Sequence, residues 1–148
     1  MEAPKDQIDE LLAAYAQAAA KRKAEKDRLK KERKLFEANA VQQIKGVFIP
    51  VMQHLKDRLD KNLFRFRVHK GGSSSSREAY LQVSAKKEMS TSFSISLRLA
   101  HEENKILLEY SHALEGQEEK VKELLNPEDI DEALIHAIFI KCLSKLSE

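Results

Sequence analysis

Apolar positions recur with two different periods along this chain, and the period changes close to residue 64. From Lys5 to Asn39 the residues are mainly Ala, Leu, Lys, Glu, Arg and Gln, with no Gly or Pro. That composition predicts one uninterrupted helix, about 50 Å long at 1.5 Å per residue. Ile8, Leu11, Leu12, Tyr15, Ala18 and Ala19 form an apolar stripe at helical spacing. A seven-residue rhythm continues it through Ile8, Tyr15, Arg22, Leu29 and Phe36. Coiled-coil pairing is therefore expected near the start. Arg22 and Glu25 weaken it in the middle, where a seam wants apolar side chains.

From Val41 the stripe becomes denser: Val41, Ile44, Val47, Phe48, Val51, Met52, Leu55, Leu59 and Leu63. This is a wide core-facing pattern with Pro50 inside it. Proline removes one helical hydrogen bond and clashes with the preceding turn, so a kink or break is expected near Gly46–Pro50.

Beyond this the period falls to two. Phe64, Phe66 and Val68 alternate with Arg65, Arg67 and His69; Ala79, Leu81, Val83 and Ala85 alternate with Tyr80, Gln82, Ser84 and Lys86. Phe93, Ile95, Leu97 and Leu99 alternate with Ser92, Ser94, Ser96 and Arg98, the pattern of a half-buried strand. Lys105 to Leu114 reads as a fourth strand, after a turn at His101–Asn104. Residues 71–76, Gly-Gly followed by four serines, read as a flexible loop with a lesser reading as a phosphate acceptor. Gly116 is expected to end the sheet, and 117–125 to form a short helix. A last helix then starts at Asn126–Pro127, with Asn126 as cap and Pro127 in the first turn. It is apolar on most sides, through Ile130, Leu134, Ile135, Ile138, Phe139, Ile140 and Leu143.

The fold class that follows is α+β: a long N-terminal helix, a four-stranded antiparallel meander and a C-terminal helix packed on one sheet face. Two parts are expected, an extended charged helix over 1–40 and a compact α+β domain over 41–148.

Composition changes this picture in one place. Charged residues make up 34% of the chain, above the usual ~25%, and they crowd into residues 21–34. That stretch has nine basic side chains against three acidic ones, although the whole chain carries only +2. One lone thiol, Cys142, cannot form an intrachain disulfide and points to a reducing compartment. Residues 1–20 have no basic start before an apolar stretch, and no run approaches the ~20 apolar residues of a membrane span. A cytoplasmic protein with no integral membrane segment is the expectation.

Chemistry-bearing motifs are sparse. Four glycines supply no phosphate-cradling loop, and there are no paired cysteines or His–Glu zinc helix. No cofactor, metal or catalytic residue is therefore expected. The five histidines are scattered; His69 and His112 could meet on the sheet, and each otherwise reads as a structural or surface residue. Cys142, flanked by apolar neighbours, reads as a buried inert thiol.

Two surfaces remain. One is the basic helix, with Arg22, Lys23, Arg28, Lys30, Lys31, Arg33 and Lys34 as candidate anion or nucleic-acid contacts. The other is the polar sheet face, where Arg65, Arg67 and Arg98 stand among hydroxyls and Glu109 is the lone acid. That face has one aromatic, Tyr80, and so lacks the paired rings of base-stacking sheets. Ile135, Phe139 and Leu143 on the apolar last helix are candidate interface residues for a homodimer. The leading functional reading is a non-enzymatic protein-interaction or oligomerisation module, an adaptor or assembly subunit. The alternative is a nucleic-acid-binding protein using residues 21–34 and the basic sheet face.

Overall fold

The computed structural model describes residues 4–69, 78–88 and 90–146; the Gly-Ser stretch 71–76 lies outside the described residues. The chain divides into two units, residues 1–35 and residues 36–148.

Helix α1 runs from Pro4 to Gln43. Over 6–35 nearly every side chain is exposed; from Phe36 onward the helix enters the core of the second unit, with Phe36 and Ala40 buried. A π-helical turn over Ile44–Phe48 follows, then α2 over Ile49–Arg58 with Pro50 in its first turn. The amide of Ile49 donates to the carbonyl of Ile44, five residues back. This wide turn is how the chain accommodates Pro50, which lacks an N–H and crowds the carbonyl four residues before it. The break expected near Gly46–Pro50 is thus a local widening. Ile44, Phe48, Met52 and Leu55 are all buried across it.

Five antiparallel strands follow in chain order: β1 (Phe64–His69), β2 (Glu78–Ala85), β3 (Ser92–Ala100), β4 (Lys105–Leu114) and β5 (Gln117–Leu125). The period-two alternation sets the register. Leu81 sits opposite Val68 and Ile95, and Val83 opposite Phe66 and Phe93, so the apolar residues share one face. Ala79, Leu81, Val83, Phe93, Ile95, Leu97, Ile106 and Leu108 are buried there.

The α+β class and the antiparallel meander are as the sequence predicts, but the sheet has five strands where four were expected. Residues 117–125 form β5, a strand and no helix. Glu115 and Gly116, with φ of 54° and 85°, make the two-residue left-handed turn whose twist suits a hairpin. Gly116 therefore turns the sheet instead of ending it, and Leu114 pairs with Gln117. Local propensity favoured a helix because β5 is rich in Glu, Lys and Leu, and pairing with β4 overrides it.

Helix α3 spans Glu132–Lys145 and packs on β3, β4 and α2, with Ile135, Ile138, Phe139 and Cys142 buried. The rings of Phe93 and Phe139 meet edge to face, centroids 5.5 Å apart. Its start also differs from expectation. Asn126 and Pro127 open a separate 3-10 turn, Pro127–Asp129, while Asp131 caps α3 by accepting from the Leu134 amide at 2.8 Å. Gln43 joins the two ends of the domain: its side-chain amide donates to the carbonyls of Pro127 (3.0 Å) and Ile130 (2.9 Å).

Candidate functional site

In residues 6–35 a helix advances roughly 100° per residue, so side-chain directions follow from spacing alone. Ile8, Leu11, Leu12, Tyr15, Ala19, Arg22, Lys26, Leu29, Lys30 and Arg33 fall within one arc of roughly 100°. No acid falls inside it. The N-terminal half of the arc is apolar and the C-terminal half basic. Ile8, Leu11, Leu12 and Tyr15 are 55%, 70%, 61% and 65% exposed, far beyond what a solitary surface leucine would signal. Lys23 and Lys34 border the basic half.

Two contacts define the arc. The Arg22 guanidinium lies 5.8 Å from the centroid of the Tyr15 ring, and its Nε donates to the Ala18 carbonyl at 3.3 Å. Arg22 thus folds back along the apolar half and joins it to the basic half. On the opposite side Arg28 is held between two carboxylates. It bridges Glu25, with Nε donating at 3.0 Å, and Glu32 at 2.6 Å. Arg28 raises no free charge to a ligand, because Glu25 and Glu32 already neutralise it. Its guanidinium pulls the Glu25 carboxyl below the ordinary carboxylate value, chiefly by hydrogen bonding. Lys31 lies on that opposite side as well. The seven basic candidates of the stretch therefore separate into Arg22, Lys23, Lys30, Arg33 and Lys34 at or beside the arc, with Arg28 and Lys31 away from it.

The polar sheet face carries Arg65 and Arg67 on β1 and Arg98 on β3, all exposed. Its bases stand among acids: Arg98 is directly opposite Glu78, and β5 brings Glu118 alongside Ala113, Lys120 alongside Ser111 and Lys122 alongside Glu109. Lys120 pairs with Glu109 at 3.3 Å. A shallow depression of about 350 Å³ lies over this face, with Glu78 and Glu109 in its lining beside Tyr80 and Arg98. His69 stacks on Tyr80, centroids 4.9 Å apart, and Ser94 and Ser111 share a hydrogen bond of 2.9 Å. The Ser96 hydroxyl donates to the Glu109 carbonyl at 3.3 Å, and Glu78, Glu109 and Glu118 offset part of the positive charge.

Of the three candidate interface residues on α3, Ile135 and Phe139 are core residues, 3% and 6% exposed, and Leu143 is half-buried against the core. The large apolar side chain that α3 presents to solvent is Ile140, 60% exposed. It borders a groove of about 290 Å³ between α2 and α3, lined also by Leu55, Leu59 and Leu143.

The histidines do not converge. His69 on β1 and His112 on β4 have two strands between them and lie on opposite sheet faces. His101 contacts Glu37 at 3.2 Å, His112 contacts Glu119 at 3.4 Å, and His136 contacts Glu132 at 3.5 Å. Among the described residues no three His, Cys, Asp or Glu side chains cluster as metal ligands would. Burial pushes the Cys142 thiol up to about 11, against a smaller opposing pull from Lys141. No helix among the described residues is long and apolar enough to cross a membrane.

No family model, curated protein or solved structure matches this chain.

Proposed function

We propose that this chain is a non-enzymatic protein-interaction module, an adaptor or assembly subunit, and that residues 6–35 are its contact element. The observation carrying this reading is the exposed cluster Ile8, Leu11, Leu12 and Tyr15 on one helical face. Covering such a side chain is worth about 1.5–3 kcal/mol, so four adjacent ones are a substantial drive toward a partner surface. The second unit supports it as a scaffold, since most of its large apolar residues close on one core.

Nucleic-acid binding draws support from Arg22, Lys26, Lys30 and Arg33. It leaves the apolar half of the arc without a role, and Glu78 and Glu109 weaken the sheet face as a phosphate surface. A lysate pull-down with and without nuclease separates the two readings, with a Leu11→Ser/Leu12→Ser variant as comparison. The protein-interaction reading expects a nuclease-resistant set of retained proteins that the variant loses. Retention that nuclease abolishes and the variant preserves would refute it.

A further inference from the structure

The arc over residues 8–33 does more than mark a contact element; its two halves describe what it contacts. This deepens the interaction reading above and rests on it. We infer that the partner is an acidic amphipathic helix that docks antiparallel along this arc, its acidic N-terminal half against Arg22–Arg33 and its apolar C-terminal half against Ile8–Tyr15.

The charge pattern selects this occupant. A parallel second copy of the chain would set Arg22, Lys26, Lys30 and Arg33 against their own like charges. An antiparallel copy overlapping along the whole arc would lay those bases over Ile8, Leu11, Leu12 and Tyr15, which would strip the charges of water and leave them without counterparts. Self-pairing along the full arc is disfavoured in both directions. A membrane is a poor match, because a helix lying in a bilayer interface keeps its bases on the face away from the acyl chains. Here bases and large apolar residues share one face, so sinking Leu11 and Leu12 would drag in Lys26 and Arg33. A phosphate backbone would use only the basic half. A helix with acids at one end and apolar residues at the other covers both.

Direction follows from the partner's own stability. Acidic side chains favour the N-terminal turns of a helix, where the peptide dipole is positive. An acid-first helix is therefore the stable form of this partner, and only antiparallel docking sets its acids against the basic half. The arc spans about 39 Å at 1.5 Å per residue, room for roughly four heptads. Arg22, lying back over Tyr15, sits where the partner's acids give way to its apolar residues. Arg28 already has Glu25 and Glu32 and stays out of the interface.

The test titrates the full chain with two fluorescent 28-residue helical peptides of identical composition. One has glutamates on its docking face in the first two heptads and leucines in the last two; the other has the halves exchanged. The acid-first peptide is expected to bind about two- to fivefold more tightly than its exchanged counterpart, which carries its glutamates at the negative end of its own dipole, and to weaken as salt rises. Neutralisation by Lys26→Gln/Lys30→Gln/Arg33→Gln should cut association and the salt dependence, while Leu11→Ser/Leu12→Ser should speed dissociation with the salt dependence intact. Circular dichroism confirms that each variant keeps its helix. Equal affinity for the two peptides would overturn the inference, as would no binding of the acid-first peptide. So would capture of a thymidine oligonucleotide or phosphatidylserine vesicles with no peptide bound. If the leucine variant loses its retained proteins from lysate while the neutralised variant keeps both them and the peptide, the interaction reading stands and the acidic-helix inference falls.

Discussion

Residues 6–35 and residues 36–148 use the same raw material in opposite ways. Both carry apolar side chains in regular rows. In the second unit each row closes on another: Ile44, Phe48 and Met52 of the helical segment, the inner faces of β2 to β4, and Ile135, Ile138 and Phe139 of α3 share one core. In the first unit the row Ile8, Leu11, Leu12 and Tyr15 is exposed. A regular apolar row therefore specifies secondary structure but not its own cover. Helix formation over 6–35 leans on alanine-rich propensity and on pairs such as Arg28 with Glu25 and Glu32, whereas the second unit is held by burial.

The largest test of this contrast is a matched truncation. Phe48→Ala, at a site 1% exposed, should destabilise the second unit by about 3–5 kcal/mol in urea unfolding. Leu12→Ala, at a site 61% exposed, should move the same transition by less than about 0.5 kcal/mol. Equal losses would mean that the row over 8–15 is covered within the chain after all.

A smaller effect is expected at the β4–β5 turn. Gly116 has φ of 85° with open space where a Cβ would go, so Gly116→Ala meets no clash and costs only backbone strain, about 1–2 kcal/mol. Hydrogen exchange should show the loss concentrated in β4 and β5, leaving the amides of 6–35 unchanged.

The smallest effects are in pH. With the Cys142 thiol lifted from 9.0 to about 11, the folded state holds its proton longer than the unfolded chain does. Stability from this group is complete below pH 9 and declines as pH rises toward 11, and Cys142→Ala should remove that decline from the urea midpoint. The first unit responds at the other end. The Glu25 carboxyl is held below its ordinary value of 4.5, so its support of the helix is present above that value and fades on acidification. Because Glu25 is exposed to water, added salt should shrink the loss of helical ellipticity.

Much of the fold was legible in the sequence, and the exceptions have physical causes. Strands β1 to β4 announce themselves because one side of each packs on the core, which writes a period of two into Phe64–His69 and Ser92–Arg98. β5 is exposed on both sides from Gln117 to Leu124, so nothing constrains its residues to alternate, and its Glu and Lys content reads as helix. The division of the terminal helix at Ile130–Asp131 was hidden because two good caps, Asn126 and Asp131, lie five residues apart. On the candidate surfaces, the basic run 21–34 was visible as composition, but its split into an acid-free arc and a neutralised Arg28 needs the helix and its ion pairs. Ile135 and Phe139 read as interface because α3 looks apolar all round; the core between α2 and the sheet takes them.

The meander has a kinetic consequence. Every strand pairs with its neighbour in the chain, so each hairpin closes a short loop and the sheet can grow by successive local steps. The contacts that reach far along the sequence are those of the helices, above all Gln43 with Pro127 and Ile130, separated by 84 and 87 residues. Sheet formation should therefore run ahead, and docking of the segment around Gln43 onto the finished sheet should set the slowest step of folding.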